Sequence, residues 1–129
     1  MTDASRSPYL YSIVRVVPRV ERGEAINAGV ILLCRPRRFL GARTVLDIER
    51  LGALAPDCDA ATVEGHLQAI EAVARGDGDA GPIARLTDAE RFHWLVAPSS
   101  TIIQPSPVHT GLTDDPAAEL ERLVATLVR

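Results

Sequence analysis

The run from Tyr9 to Val17 limits the possible folds more than any other stretch of the sequence. It is rich in β-branched and aromatic residues, a composition typical of a strand. Successive side chains of a strand point to opposite faces, and here both alternating sets are mostly apolar. We therefore predict a strand in the middle of a sheet, or one with a face covered by a second subunit. Arg15 interrupts one set and, if buried, needs a partner, for which Glu21 and Glu24 are the nearest acids in sequence.

Two further strands complete a predicted antiparallel meander. The apolar run Ala28–Arg35 predicts the second strand, and Arg38–Leu46 predicts the third, with a tight turn at Pro36–Arg38 between them. Three consecutive strands joined by short connections favour antiparallel pairing. We also predict a short edge strand at Thr101–Gln104, because prolines lie nearby and a sheet tolerates proline mainly at its edge.

Helix signals dominate the rest of the chain. A short helix is predicted at Asp47–Leu54, and good N-cap residues precede apolar side chains at helical spacing at Asp59, Thr87 and Asp115. Gly76 is placed to end the helix that Asp59 begins. The sequence therefore predicts an α+β fold, in which an antiparallel sheet of three to four strands, a meander plus an edge strand, packs with three to four helices.

The composition indicates one globular domain. Of the 129 residues, 47% are hydrophobic and 24% are charged, which are ordinary values for a folded chain. We predict a disordered tail at residues 1–8 and a single domain at residues 9–129. No apolar run approaches the roughly 20 residues of a membrane span, and the first residues lack the apolar core of a signal peptide, so a cytoplasmic protein is expected. Cys34 and Cys58 lack metal-ligand spacing, and we expect neither a metal nor a cofactor.

Charge is distributed unevenly along the chain. Residues 1–43 carry a net charge of +5 and residues 44–129 a net charge of −8. A cationic face can bind phosphate or an acidic partner, so nucleic-acid binding by Arg35, Arg37, Arg38 and Arg43 is one hypothesis. It is the weakest one, because every cation is arginine in a chain that is also rich in alanine, glycine and proline, and because aromatic residues for base stacking are scarce.

The segment Arg15–Gly29 is the most site-like feature of the sequence. Pro18 should end the first strand, and Gly23 and Gly29 can adopt positive φ or let another backbone approach closely. A planar cation, a carboxylate and an amide are gathered here and could bind a small polar ligand; these ligand-binding candidates are Arg15, Arg22, Glu24 and Asn27. The same groups could instead bond one another and the backbone, and so close the loop on itself.

An enzyme is the main alternative to a binding protein. The sequence lacks the usual phosphate-binding, nucleophile-elbow and zinc-helix motifs. His109, in a predicted irregular loop, could act as a general base or could simply bond a backbone carbonyl. In a small-ligand or nucleotide-processing enzyme, Arg15 and Arg22 would bind an anion, Glu24 or His109 would move a proton, and Asn27 would orient the ligand. That hypothesis requires the loop and the segment Ser99–Gly111 to converge.

Four separated segments carry a resemblance to a known family. They read YSIVRVVP at Tyr11–Pro18, RGEAINAGV at Arg22–Val30, RFHWLVAP at Arg91–Pro98 and QPSPVHTG at Gln104–Gly111. With them the chain resembles a family of short bacterial proteins catalogued as a domain of unknown function, over nearly its whole length. The resemblance implies no catalytic residue, but it implies a partner protein, with a HipA-like kinase encoded nearby as one candidate. We therefore favour a non-catalytic accessory module that binds a partner through its sheet or the Arg15–Gly29 loop, with a homodimer as a further expectation.

Overall fold

The computed structural model describes residues 5–99 and 101–129. Its sheet contains the predicted antiparallel meander of three strands, β1 (Ser7–Val16), β2 (Ile26–Cys34) and β3 (Phe39–Thr44). Because β1 has partners on both sides, it lies in the middle of the sheet, as its two apolar faces indicated. The predicted tail falls partly on residues 1–4, which lie outside the described residues, and β1 already includes Ser7 and Pro8.

The side of β1 that faces away from β2 pairs with two short strands. They are β4 (Ile103–Pro105) and β5 (His109–Thr113), and both run antiparallel to β1. The predicted edge strand therefore exists, although it starts two residues later than expected and continues as a second segment that the sequence analysis did not predict. His109 lies in this second segment and not in an irregular loop, because its backbone pairs with Tyr11.

Four α-helices accompany the five-stranded sheet, which makes the fold α+β. They are α1 (Ile48–Leu54), α2 (Ala60–Arg75), α3 (Asp88–Leu95) and α4 (Pro116–Leu127). The last three begin after the predicted N-cap residues, and α1 begins one residue later than predicted, after Asp47. Each of the four N-cap residues accepts a backbone N–H of the first turn. Gly76 ends α2 at φ 75°, the left-handed conformation that glycine adopts without strain. No helix in residues 5–99 and 101–129 is long and apolar enough to cross a membrane.

The helices lie on both faces of the sheet and create two cores. The first core joins β1 and β2 to α1, α2 and α3, and it includes Val14, Ile31, Leu67 and Phe92. The second core lies under α4, whose Leu120, Leu123 and Val124 pack against Tyr9, Val30 and Leu32. Because the helices pack mainly against β2 and β3, the β4–β5 side of the sheet lies at the margin of both helical layers.

The connection between β2 and β3 differs from its prediction. Instead of a tight turn at Pro36–Arg38, residues Arg35–Arg37 form one turn of 3-10 helix, and Arg38 follows in the left-handed region at φ 51°. Pro36 supplies the fixed φ of a first helical position, which explains the helical turn. As a result β3 starts at Phe39, and it ends at Thr44 instead of Leu46.

Candidate functional site

The break between β4 and β5 is held by a buried serine. The Ser12 hydroxyl donates to the carbonyl oxygen of Ser106 at 2.7 Å, and the Ser106 hydroxyl accepts the N–H of Ile13 at 2.8 Å. The N–H of Ser106 in turn donates to the Ile13 carbonyl at 2.8 Å. Both serines are buried. Two of the four segments noted in the sequence, Tyr11–Pro18 and Gln104–Gly111, thus lie side by side in the sheet.

On the α4 side of the sheet, two tyrosines of β1 cover β5. The Tyr11 ring lies 5.3 Å from the His109 ring, measured between centroids, and the Tyr9 ring lies over Gly111. The Tyr9 hydroxyl donates to Oε2 of Glu119 at 2.5 Å, and Nη2 of Arg122 donates to the same oxygen at 2.6 Å.

These contacts change the pKa values of the Tyr9 phenol and the Glu119 carboxyl. Burial, followed by the Glu119 carboxylate, raises the pKa of the Tyr9 phenol to about 12. Hydrogen bonding from Arg122 lowers the pKa of Glu119, with a smaller contribution from Tyr9 and against the effect of burial. The network therefore ties β1 to α4 while Glu119 is ionised and Tyr9 is protonated.

The outer side of β5 is an open strand edge. Among the described residues, β5 pairs with β1 alone. On this side β1 bonds through its odd-numbered residues, since Ile13 bonds Ser106 and Val17 bonds Ile102. Alternation along an antiparallel ladder then directs the backbone N–H and C=O groups of Thr110 and Leu112 away from β1.

Two apolar side chains are exposed along this edge. Leu112 is 52% exposed and Val108 is 43% exposed. Leu112 and Thr110 lie opposite Pro8 and Leu10 of β1, so they share the face of the first core. β5 contains no Asp, Glu, Lys or Arg, the residues that usually protect a strand edge from other chains.

Two shallow cavities border this apolar surface, and a third lies beyond them. One of about 360 Å³ is lined by Pro8, Leu10, Pro36 and Thr110, among others. The second, of about 530 Å³, lies where Val96 and Pro98 meet the segment Pro105–Val108. The third, of about 420 Å³, lies between α2, α3 and the segment before β4, and is bordered by Trp94, which is 54% exposed. We call the β5 edge together with Val108 the open edge.

Arg15 makes different contacts from those expected. Its Nε donates to the carbonyl oxygen of Gln104 at 3.3 Å, and its Nη2 donates to that of Pro105 at 3.0 Å. The half-buried guanidinium therefore has backbone carbonyls of β4 as its partners instead of Glu21 or Glu24. Arg15 also borders the 530 Å³ cavity.

The loop between β1 and β2 bonds largely to itself. Nε of Arg22 donates to Oε1 of Glu24 at 2.6 Å, and this contact lowers the pKa of the Glu24 carboxyl. Gly23 adopts φ 71°, as predicted. A Cβ on Gly29 would lie 2.7 Å from the Arg43 carbonyl oxygen, so this glycine permits the close approach of β3. Asn27 donates through Nδ2 to the carbonyl oxygen of Leu127 at 2.9 Å and so holds the end of α4.

The proposed site residues form two separate groups. Asn27 pairs with Arg15 across β1 and β2, and Arg22 bonds Glu24 in the loop beyond them. His109 pairs with Tyr11, four residues further down β1, which corresponds to about 13 Å along the strand. The structure therefore does not place His109 within proton-transfer reach of the others. Cys34 and Cys58 are free thiols, and no cluster of three metal-ligating side chains occurs among the described residues.

Ser106 and Leu112 shape the open edge and were not among the residues predicted to form a site. The spacing Pro105-Ser-Pro107 was a usable signal. Prolines on both sides of one residue remove two backbone donors, and a strand broken at that point is the expected result. The short alternation from Val108 to Thr113 was too weak to predict a strand by itself.

The comparisons with known proteins give a family and no activity. A family model described as "Protein of unknown function (DUF3037)" matches residues 11–128, and the chain belongs to this family. Neither the search of curated proteins nor the search of solved structures gives a match.

Proposed function

We propose that this protein is a non-catalytic interaction module, whose open edge receives an extended strand of a partner protein. The observation that carries the proposal is the unpaired row of backbone groups on β5, beside exposed Leu112 and Val108. Strand addition at a free sheet edge is a recurrent mode of protein recognition, in which main-chain hydrogen bonds supply affinity and alternate side chains supply specificity.

The chemistry of the edge restricts the partner. The incoming strand must offer N–H and C=O groups at the spacing of Thr110 and Leu112. Its side chains on the first-core face should be apolar, because they would lie beside Leu112 and Val108. Pro105 and Pro107 have no backbone N–H to donate to an added strand, so the paired stretch is centred on β5.

The open edge is favoured over the Arg15–Gly29 loop as the binding surface. Arg22 and Glu24 already bond each other, and Asn27 already bonds the end of α4, so a ligand would have to displace these contacts. The enzyme hypothesis and the nucleic-acid hypothesis stay predictions, as does the cytoplasmic location. A HipA-like kinase encoded nearby is one candidate donor of the strand.

A proline substitution tests the proposal directly. Thr110→Pro removes an N–H that points away from β1 and leaves the bonds of its neighbours to β1 in place. The full-length protein would be purified with its bound proteins from the cells that normally make it, as wild type, as Thr110→Pro and as Val20→Glu. Val20 is 47% exposed in the β1–β2 loop and serves as a control far from the edge.

We expect a partner that wild type and Val20→Glu retain and that Thr110→Pro loses. In the complex, hydrogen exchange of the Thr110 and Leu112 amides should slow relative to the free chain, while the amide of Gly111 is protected in both. Equal retention by all three proteins, with unchanged exchange at these two amides, would contradict the proposal.

A further inference from the structure

We infer that the strand received by the open edge is β5 of a second copy of this chain. The inference rests on the proposed function and names its partner. Two copies related by a two-fold axis would place β5 antiparallel to β5 of the partner subunit, and the two sheets would become one continuous sheet. A two-fold interface requires a surface that complements itself, so the first question is whether β5 does so.

The backbone of β5 complements itself in an antiparallel pair. A two-fold axis through Thr110 makes this residue face Thr110 of the partner subunit as a hydrogen-bonded pair, because the backbone groups of Thr110 point outward. Val108 then faces Leu112 of the partner subunit, and Leu112 faces Val108 of the partner subunit. The backbone groups of Leu112 alternate outward in step with those of Thr110.

The side chains select this register. The two large exposed apolar residues of the edge, Val108 and Leu112, would lie directly opposite each other on the first-core face. On the α4 face, His109 would lie opposite Gly111 of the partner subunit, a position with no side chain. A register shifted to a two-fold axis through Gly111 would instead place Val108 opposite Asp114 of the partner subunit. Cross-strand apolar pairs stabilise a sheet, so the axis through Thr110 is favoured.

The charge and the shape of the edge also fit a second copy. β5 contains no Asp, Glu, Lys or Arg, so two identical strands meet without placing like carboxylates or guanidinium groups opposite each other. Pro105 and Pro107 end the compatible stretch on one side, and Asp114 and Asp115 end it on the other. Because β5 has five residues, the contact is short, and we expect a reversible dimer that forms as the protein concentration rises.

Sedimentation velocity over a concentration series tests for the dimer with the protein alone. We expect wild type to shift from monomer to dimer, Leu112→Glu to remain monomeric over the same range, and Val20→Glu to behave as wild type. Leu112 and Val20 are similarly exposed apolar residues, so the pair controls for the general effect of a new surface charge. Circular dichroism of each variant confirms that it is folded.

A cysteine variant tests the register. Thr110→Cys should become covalently dimeric with a short thiol-specific cross-linker, because facing Cα atoms in a hydrogen-bonded pair are about 5.5 Å apart. Thr126→Cys, an exposed threonine on α4, should remain monomeric, and wild type reports any background from Cys34 and Cys58.

The outcomes separate this inference from the proposed function. A dimer that persists in Leu112→Glu and does not cross-link through Thr110→Cys overturns the inference, since it forms elsewhere. A chain that is monomeric throughout but retains a different protein through the Thr110 edge also overturns it, and leaves the proposed function standing. If Thr110→Pro retains every partner and also dimerises as wild type does, the proposed function fails together with the inference.

Discussion

The two edges of the sheet are built in opposite ways. At the β3 edge, the Glu71 carboxylate on α2 accepts the outward N–H of Thr44 at 2.8 Å and its hydroxyl at 2.9 Å. Arg43 lies on the same strand and faces Glu121 of α4, with Nε 3.6 Å from Oε1. At the open edge, no acidic side chain or arginine of the described residues bonds the outward backbone groups of Thr110 and Leu112. An acidic residue on a neighbouring helix thus accepts an outward backbone donor at the β3 edge, and β5 has no equivalent contact among the described residues.

Gly29 on the β3 side of the sheet and Gly111 on the β5 side each lie close to a neighbouring group. Substitution of these two glycines by alanine should have different effects on stability. A Cβ on Gly29 would lie 2.7 Å from a backbone oxygen of β3, whereas a Cβ on Gly111 would lie 2.5 Å from the end of the Tyr9 side chain. A side chain can move more easily than a paired strand. We therefore expect Gly29→Ala to cost about 3 kcal/mol of unfolding free energy and Gly111→Ala about 2 kcal/mol, measured by denaturant unfolding.

Gly65→Ala is the matched control for these substitutions. Gly65 lies within α2, and a Cβ there would have no heavy atom within 4 Å. We expect it to stabilise the protein by up to about 1 kcal/mol through helix propensity. A larger loss at Gly111 than at Gly29 would show that the Tyr9 ring is held more rigidly than the β3 backbone.

Replacing Ser106 should weaken the attachment of the whole open edge. In Ser106→Ala the N–H of Ile13 loses its acceptor inside the sheet, and the Ser106 carbonyl keeps its bond from Ser12. An unsatisfied buried donor should lower the unfolding free energy by about 2 kcal/mol. Hydrogen exchange should accelerate at His109 and Gly111 more than in β2. Ser99→Ala, at an exposed serine between α3 and β4, should leave exchange in β5 unchanged.

Removing the Glu71 carboxylate at the β3 edge should make this edge resemble the open edge. Glu71→Ala leaves the outward N–H of Thr44 without its partner, and we expect a loss of about 1.5 kcal/mol in unfolding free energy. The freed edge should also make the protein associate more readily, which light scattering would detect. Glu64→Ala, on the same helix, is the control and should change neither quantity. Unchanged association in Glu71→Ala would mean that α2 itself covers β3.

The starts of the helices and the central position of β1 were predictable from the sequence, because local signals determine them. Side-chain oxygens at Asp47, Asp59, Thr87 and Asp115 define where the helices begin, and these residues cap their helices in the structure. The central position of β1 followed from apolar side chains on both of its faces. Such signals depend on residues that are adjacent or one helical turn apart, so a single sequence is sufficient to read them.

The open edge could not be predicted in the same way, since it depends on residues far apart in sequence. Ser106 acquires its role from Ser12 and Ile13, more than ninety positions earlier. The arginine at position 15 illustrates the same limit: nearby acids suggested an ion pair, yet the backbone of β4 brings carbonyl oxygens closer. Polar groups in the β1–β2 loop attracted attention because they were clustered in sequence, although most of them bond within the fold.

The smallest expected effect concerns the hydrogen bond that joins β1 to α4. Tyr9→Phe removes one hydrogen bond to Glu119, and the carboxylate keeps Arg122 as a partner. We expect a loss of about 1 kcal/mol in unfolding free energy at neutral pH. This loss should be smaller than that of Ser106→Ala, because the hydroxyl of Tyr9 leaves no unsatisfied backbone group behind. Urea titrations at pH 7 would measure both variants.

The pH dependence of the unfolding free energy distinguishes the Tyr9–Glu119 hydrogen bond from the other interactions of the protein. The pKa of Tyr9 is raised from 10.0 to about 12 in the folded state, so folding favours the protonated phenol. Its contribution to stability is therefore complete below pH 10 and declines as the pH rises towards 12. Glu119 has a lowered pKa, so its contribution is present above its ordinary value of 4.5 and declines as the pH falls below it. In Tyr9→Phe the alkaline decline between pH 10 and 12 should become shallower while the acidic decline persists. If the alkaline declines of the two proteins superimpose, the Tyr9 phenol is not held by the Glu119 carboxylate, and Tyr9 of β1 is attached to α4 only through apolar contacts.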